Sequence, residues 1–374
     1  MSSDSGWKNV ARVVWGFGGM VAVCQPGPNV QITTGVMGKQ VAAYVIGAYG
    51  HLFESLRQRG FELIGVTFVQ HPDEVDQLCP AHFRAAALSR GWRVWDVKQR
   101  WDQIAFGASK AARLDLMDVA SRLSAGFQYS EMRLHDVAEA YSIQLRAYTH
   151  RREATEYQAF SDTNSPRVYK TIHALFWEMA VLRDALAEFA AKFCFSIPRV
   201  SKLSDLIKAL RKMSSNDPLA AMFLSAASKD SGGWLSSFTA YRNLFTHAAP
   251  MQEVAHAAYT IQDMRQLAGG LHVPQIYYPR PKDVYELSRK RSQGALFVSL
   301  EELAKACFQR RSRAAEPDAL EYLHCCLDHF AELAESLIVR SPIAPAPVTL
   351  IAKDLIGPIT WHNVSESTDA GGRS

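Results

Sequence analysis

Residues 165–193 read SPRVYKTIHALFWEMAVLRDALAEFAAKF, and this stretch carries the strongest periodic signal of the chain. Ser165 suits the cap position of a helix, and Pro166 suits the first helical position, where the N–H has no intrahelical partner to lose. Apolar residues then recur every three or four positions, as on the buried face of a helix: Val168, Ile172, Leu175, Met179, Leu182, Leu186, Phe189 and Phe193. The pattern predicts a long helix that begins at residue 165.

Helix signals continue after this stretch. The apolar spacing predicts a shorter helix from about Leu203 to Met213. Asp217 and Pro218 repeat the cap-plus-proline start, and they predict a third helix that runs to about Ser228. Several amphipathic helices in succession are typical of a bundle in which neighbours are antiparallel.

Three more helices are predicted beyond the glycine pair at 232–233. The first has one apolar face, formed by Trp234, Phe238, Tyr241, Phe245 and Ala248. Ser299 and Glu302 form a capping box for the second, which is expected to continue through Phe308. Pro317 opens the last helix, whose apolar face consists of Leu320, Leu323, Leu327, Phe330, Ala334 and Leu337.

The N-terminal region, residues 1–160, predicts mixed α/β structure. Val30–Thr34 and Phe61–Val69 are rich in β-branched residues and read as strands. Between them, Lys39–Arg59 reads as a helix that Gly60 terminates. This order predicts one βαβ unit of unknown role.

Two further helices are predicted in this region, at Ala111–Leu123 and Met132–Tyr157. The polar break at 161–165 predicts a domain boundary, followed by an antiparallel helical bundle over residues 165–340. Residues 341–374 form a C-terminal extension, and its polar, glycine-rich end is expected to be disordered. The predicted fold class is therefore α+β overall.

Composition narrows the class of protein. The net charge of the 374 residues is only +4, so a nucleic acid would have to be bound by a local basic patch. The apolar run at Val10–Cys24 is interrupted by Arg12 and by glycines, well short of about 18 apolar residues, so no membrane span is expected. The cysteines form no CxxC pair and are read as free thiols of a reduced, cytoplasmic protein: Cys24, Cys79, Cys194, Cys307, Cys325 and Cys326.

One predicted helix carries an arginine, a polar residue and a histidine away from its apolar face. At about 100° per residue, Asn243 and His247 lie nearly opposite the stripe that contains Phe245, and Arg242 lies on its flank. Asn243 and His247 are four residues apart and can touch, so the amide can fix the imidazole tautomer. The Arg242 guanidinium suits a phosphate.

Spacing alone does not make a site, because short motifs recur by chance. A looser match, Arg167 with His173, was set aside because His173 begins a turn of the predicted 165–193 helix that carries its apolar stripe. The simpler interpretation of Arg242 and His247 is the solvated face of an amphipathic helix. This interpretation remains open beside the functional one.

Arg242-Asn243-x-x-x-His247 resembles the arginine, polar residue, spacer and histidine motif of ribonucleases of the HEPN superfamily (higher eukaryotes and prokaryotes nucleotide-binding). The order of predicted helices over residues 165–340 also resembles that family, although a long insertion precedes the closing helix. The resemblance does not cover the first 150 residues. It implies a bundle, a homodimer in which two motif helices face each other, and RNA cleavage without a metal or cofactor.

The resemblance also implies a role for each motif residue. His247 is the expected general base or acid, Arg242 stabilises charge on the phosphorane, and Asn243 positions both. Glu178 and Asp184, on the first bundle helix, are candidate supporting partners of Arg242 if the two helices adjoin, although surface carboxylates are more often simply solvated.

Other charged or ligand-type residues give weaker signals. Arg289, Lys290 and Arg291 form a basic cluster that is a candidate RNA-binding surface, beside the commoner reading as a solvated charge run. Cys325 and His329 are spaced for a shared metal, but they have no matching second pair, so packing at the edge of the core is favoured. We expect no metal and no cofactor.

Three functions follow from the sequence. The first is a dimeric RNA-cleaving effector, a toxin or defence protein that an antitoxin or other regulator controls. The second is a non-catalytic HEPN scaffold or dimerisation protein. The third places a nucleotide-binding enzyme site in residues 1–160 and makes the bundle its dimerisation module.

Overall fold

The computed structural model describes residues 10–24, 27–70, 82–89, 91–151, 156–213, 216–248, 259–293, 299–302 and 317–348. Within these ranges the fold is α+β, as the sequence predicts. The helix predicted to begin at Ser299 is described only at its start, where Ser299 Oγ accepts the Glu302 amide at 3.1 Å as the predicted cap requires. The rest of that helix, through Phe308, and the polar end of the chain lie outside the described residues. Among the described helices, none is both long enough and apolar enough to cross a membrane.

The N-terminal region forms a six-stranded sheet in which every strand pair is antiparallel. Its strands are β1 (Val10–Gly16), β2 (Val21–Cys24), β3 (Asn29–Thr33), β4 (Gln40–Val45), β5 (Leu63–Gln70) and β6 (His82–Ala85). They lie in the order β4-β3-β2-β1-β5-β6. The apolar run at Val10–Cys24 is thus most of a central hairpin, with its turn at the 3₁₀ segment Phe17–Gly19.

The predicted βαβ unit is wrong. The first part of the expected helix Lys39–Arg59 is strand β4, whose Ala42 pairs with Ile32 of β3, and only α1 (Leu52–Gln58) is α-helical. Gly47 lies between them, where glycine disfavours a continuous helix, and the β-formers of β4 pair along the sheet edge instead. In the sheet, β3 and β5 run antiparallel, because two strands separate them and all pairs are antiparallel.

Two long helices cover this sheet and lead into the bundle. They are α2 (Arg93–Lys110) and α3 (Leu114–Arg151). The two helices expected at Ala111–Leu123 and Met132–Tyr157 are one continuous helix over most of their length. Helix α3 continues through Gly126. The missing side chain at this position allows α3 to approach the next helix closely, since a Cβ there would lie 3.1 Å from Leu182 Cδ1.

The bundle contains the predicted helices that fall within the described residues, and one further helix, Val284–Ser292, that the sequence did not predict. They are α4 (Ser165–Phe189), α5 (Leu203–Lys212), α6 (Pro218–Ala226), α7 (Trp234–Ala248), α8 (Val284–Ser292) and α9 (Ala319–Val339). The apolar stripe of α4 is buried from Val168 to Phe189, and the predicted stripe of α9 is buried throughout. A π-helical turn, Ala190–Cys194, extends α4 and leaves Phe193 half-buried.

A second, three-stranded antiparallel sheet was not predicted. It consists of β7 (Gln158–Phe160), β8 (Thr260–Leu267) and β9 (Leu271–Tyr277), in the order β7-β8-β9. Its buried positions include polar residues that pair across the sheet, such as Gln275, whose Nε2 donates to Asp263 Oδ2 at 3.0 Å. Polar residues inside the sheet obscure the alternation by which a strand is recognised.

The expected boundary at 161–165 falls between β7 and α4, and the helices on its two sides pack together. Arg122 of α3 donates to both carboxylate oxygens of Glu188 on α4, at 2.8 and 2.9 Å. Deeper in the molecule, Asp318 Oδ1 accepts from the Tyr141 hydroxyl at 2.7 Å and from the Tyr278 amide at 3.0 Å. This buried node joins α3, the end of β9 and the start of α9.

One buried carboxyl group lies where α3 crosses the sheet. Glu131 Oε1 accepts the Ala85 amide of β6 at 2.6 Å. Burial raises the pKa of Glu131 to about 7, although the Ala85 hydrogen bond and the charges of Arg84 and Lys98 act in the opposite direction.

Candidate active site

Helix α7 carries the motif, and the side chain of Asn243 lies off its core face as the sequence predicts. Phe238, Tyr241 and Phe245 are buried, whereas Asn243 is exposed. Leu244 is also buried, so the core face is wider than the predicted stripe. Antiparallel to α7 lies α4, where Phe176 stacks on Phe238 with ring centroids 5.5 Å apart. The motif therefore lies beside α4, the helix with the strongest periodic pattern of apolar residues.

Arg242 is half-buried between α7 and α4. Its guanidinium carbon lies 4.6 Å from the centroid of the Trp177 ring, within the range of a cation–π contact. Its Nη1 donates to Asn243 Oδ1 at 3.1 Å. Arg242 Nε is buried and has no hydrogen-bond partner among the described residues. The arginine is thus oriented from both helices while one donor remains unsatisfied.

A second histidine, His173 of α4, contacts the tryptophan that holds this arginine. Trp177 Nε1 donates to His173 Nε2 at 3.3 Å. An indole N–H can only donate, so Nε2 accepts and the imidazole is neutral. Partial burial lowers the pKa of His173, which favours the same neutral form.

An aromatic ladder extends from this pair along α4. The rings of Tyr169 and His173 stack with centroids 6.3 Å apart and an angle of 27°. His173 also contacts Phe245 of α7, edge to face. Tyr169, His173 and Trp177 therefore form a continuous surface at a spacing of four residues, and we call it the aromatic ladder.

His247 lies on α7, one helical turn beyond Asn243. Its side chain is outside the described part of the structure. Its contact with Asn243 and its catalytic role therefore stay predictions.

The structure does not bring the two expected carboxylates to Arg242. Asp184 pairs with Arg183 at 2.9 Å, and its Oδ1 also accepts the Leu203 amide at the start of α5. Burial raises the pKa of Glu178, opposed by the charge of Arg133 on α3. Among the described contacts, neither carboxylate bonds to Arg242, because Trp177 occupies the face of α4 that the guanidinium meets.

The basic cluster at the end of α8 divides into exposed and half-buried members. Arg289 and Lys290 are exposed, and Lys290 Nζ lies 3.3 Å from Glu286 Oε1. Arg291 is half-buried and interacts with Tyr169, and burial lowers its pKa. Arg291 and Arg242 consequently lie at opposite ends of the aromatic ladder.

The sequence analysis missed the ladder, although the signal was available. His173 was set aside as part of an apolar turn, yet it is only half-buried and lies on the flank of α4. Tyr169, His173 and Trp177 recur at intervals of four residues, which is the spacing of one helical face.

Cys325 and His329 of α9 have the spacing of a pair of metal ligands. Within the ranges the structure covers, no three His, Cys, Asp or Glu side chains are grouped as metal ligands. His329 stacks on Trp234 with centroids 5.3 Å apart, and Cys325 is half-buried, so both pack at the edge of the core. Cys24, Cys194 and Cys326 are free thiols like Cys325, as expected.

Comparison with protein-family models, curated proteins and solved structures gives no match to this chain. The resemblance of Arg242-Asn243-x-x-x-His247 to the HEPN motif therefore stands on these residues alone.

Proposed function

We propose that this chain is a metal-independent endoribonuclease of the HEPN type. The observation that carries the proposal is the orientation of Arg242, which Trp177 and Asn243 hold on the flank of α7, about one turn before His247. The planar guanidinium suits a phosphate oxygen. An arginine and a histidine on one helical turn are the groups that attack by a 2′-hydroxyl requires.

In the proposed reaction, the RNA supplies its own nucleophile. His247 removes the proton of the 2′-hydroxyl, and the 2′-oxygen forms a bond to the adjacent phosphorus. Arg242 stabilises the negative charge on the phosphorane oxygens, and Asn243 orients Arg242 through their hydrogen bond. The bond from phosphorus to the 5′-oxygen breaks, and that oxygen takes up a proton. The products are a 2′,3′-cyclic phosphate and a 5′-hydroxyl end.

We propose further that the active form is a homodimer. The large apolar side chains exposed on α3 and α4 include Tyr129, Met132, Trp177 and Val181. The α3–α4 contacts Gly126–Leu182 and Arg122–Glu188 put these residues at a similar level of the helix pair. Exposed apolar side chains grouped in this way are typical of protein interfaces. Because Trp177 also holds Arg242, a second copy on this surface adjoins the site.

The proposed biological setting is that of a cytoplasmic toxin or defence effector whose N-terminal region regulates the bundle. Regulation is assigned to residues 1–160 or to a separate antitoxin. The N-terminal region is coupled to the closing helix α9, because Arg93 pairs with Asp328 at 3.2 Å. The imidazole of His324 also contacts the Ala86 carbonyl oxygen at 2.6 Å.

The test is cleavage of a labelled RNA in the presence of EDTA, followed by analysis of the product ends. Cyclic phosphate ends formed by the wild type and lost in His247→Ala support the proposal. Binding of RNA without cleavage, at every protein concentration, favours the non-catalytic scaffold instead.

A further inference from the structure

A groove separates α5 from α7 on the exposed side of Asn243. It encloses about 550 Å³, a volume typical of ligand sites. The α7 wall contributes neutral polar side chains, Ser236, Thr239 and Asn243. The floor is apolar, with Ile207 and Leu235 among its residues.

The α5 wall of the groove is basic. Lys202, Lys208 and Arg211 line it, and all three are exposed. The nearest carboxylate to Lys208 is Asp205, at 3.9 Å, so this pair is loose. Arg183 also lines the groove, but Asp184 neutralises it. The three exposed cations therefore set the charge of the wall.

An aromatic residue completes the lining. Tyr285 of α8 shares a hydrogen bond of 2.7 Å with Ser236, which fixes its ring against α7. Lys229 Nζ lies 4.8 Å from the centroid of that ring and adds a fourth exposed cation. A positive groove with an aromatic side chain is the combination with which proteins bind single-stranded nucleic acid.

The dimensions of the basic wall suit a short single strand. Lys202 is the cap residue of α5 and Arg211 lies in its last turn, nine residues later, a distance of about 13 Å at 1.5 Å per residue. Stacked nucleotides advance about 3.4 Å each, so this wall spans roughly four of them.

We propose that single-stranded RNA lies in this groove, with its phosphates on Lys202, Lys208 and Arg211, and that Asn243 marks where the strand passes to Arg242. This inference rests on the proposed ribonuclease function and names its substrate as unpaired RNA. Asn243 belongs to both places, because it lines the groove and bonds Arg242. The phosphate contacts hold the strand, and the motif residues act on one linkage of it.

The experiment measures binding separately from cleavage. A 12-nucleotide fluorescent RNA is titrated with the full chain carrying His247→Ala, in EDTA, and anisotropy is recorded from 50 to 200 mM salt. The groove variant adds Lys202→Gln, Lys208→Gln and Arg211→Gln. A matched control adds Lys39→Gln, Lys110→Gln and Arg151→Gln, which remove the same charge from exposed residues that do not line the groove.

The expected result is a change in salt dependence. Each phosphate contact contributes about −0.7 to the slope of log affinity against log salt for a single strand. Loss of three contacts therefore makes the slope shallower by about 2, which is a difference of about 20-fold across this salt range. The control variant keeps the slope of its parent. Single-stranded DNA behaves like RNA in this assay, because the groove contacts phosphates, and duplex RNA binds more weakly.

Two results would overturn the inference: an unchanged slope in the groove variant, or equal slope changes in the groove and control variants. Lys208→Glu alone, at an exposed helix position, keeps the test decisive if the triple variant does not fold. Cleavage is assayed in parallel with the native His247. Cleavage with an unchanged slope rejects the groove and leaves the ribonuclease, whereas a changed slope without cleavage retains RNA binding and rejects the enzyme.

Discussion

The guanidinium carbon of Arg242 lies 4.6 Å from the centre of the Trp177 ring, so the motif arginine of α7 is oriented by a residue of α4. Trp177 is itself bonded to His173. The site is therefore built from two helices that the chain brings together from positions 65 residues apart.

Replacement of this indole should weaken catalysis by a small factor. A cation–π contact at an exposed site contributes about 0.5–1 kcal/mol, so Trp177→Ala is expected to lower kcat/KM for RNA about 2- to 5-fold. Trp177→Phe keeps an aromatic face and should retain most of the activity. The exposed Met222 on α6 provides a control, Met222→Ala. Wild-type kinetics in Trp177→Ala, at a matched oligomeric state, would show that the ring does not orient Arg242.

Loss of either motif residue should abolish cleavage without unfolding the protein. His247→Ala and Arg242→Ala are expected to lower the rate by about 10²- to 10⁴-fold in EDTA. The thermal transition should move little, because truncation at positions off the core shifts stability by about 0.5 kcal/mol. DNA should survive, since it lacks the 2′-hydroxyl. Unfolding of the variants would show that Arg242 and His247 have a structural role. Cleavage at the wild-type rate by both variants would show that these residues are not the ribonuclease site.

The protein should be a homodimer in light scattering. Val181→Asp and Tyr129→Asp put a charge into the proposed contact, and both are expected to yield monomers and to lower activity together. Lys212→Asp, at an exposed position on α5, serves as the control. A wild type that is monomeric at every concentration tested would remove the composite site of two motif helices.

The α8 cluster should contribute to RNA affinity at low salt. Charge reversal at Arg289, Lys290 and Arg291 is expected to weaken binding and to reduce its salt dependence. Arg289 and Lys290 should act without loss of stability, because both are exposed, whereas Arg291→Glu should also destabilise the fold beside Tyr169. Anisotropy and thermal denaturation separate the two effects. Unchanged affinity in the triple variant would show that RNA binds at another surface.

Glu131 should make stability fall as the pH rises. Its pKa in the folded state is about 7, above the ordinary value of 4.5, so folding favours the protonated form. Protonated Glu131 stabilises the folded state fully below about pH 4.5. This stabilisation is lost as the pH rises through about 7, and the loss is on the order of 3 kcal/mol. Glu131→Gln should remove this dependence and be the more stable protein at pH 8. Glu139→Gln, exposed on α3, should leave the slope as it is; denaturant titrations at pH 5 and pH 8 measure both.

The helical part of the fold could be predicted because its signals are local. Helix α4 begins at Ser165 as expected, and the stripe from Val168 to Phe189 is buried. The predicted cap was wrong by one residue, because Asn164 rather than Ser165 occupies the cap position. The exposed position of Asn243 followed from the helical period. These features depend on residues within a few turns of each other.

The sheets could not be predicted in the same way, because their pairing is long-range. Strand β4 was read as helix, and its partner β3 lies across a loop whose turn at Gly35 is set by contact with Ser142 of α3. In β8 and β9, the buried Asp263 and Gln275 are hydrogen-bonded across the sheet, which a local pattern does not reveal. The contact of Arg242 with Trp177 was missed for the same reason, since it depends on how two helices cross.

The node at Asp318 also has a consequence for how the chain is made. Its partner Tyr141 lies 177 residues earlier in the sequence. At about 5–20 residues per second, the ribosome needs roughly 9–35 s after Tyr141 is synthesised to reach Asp318. During this interval the face of α3 that α9 covers is open to solvent, which is the state that chaperones recognise. Demand for chaperones during translation should therefore be greatest before α9 emerges.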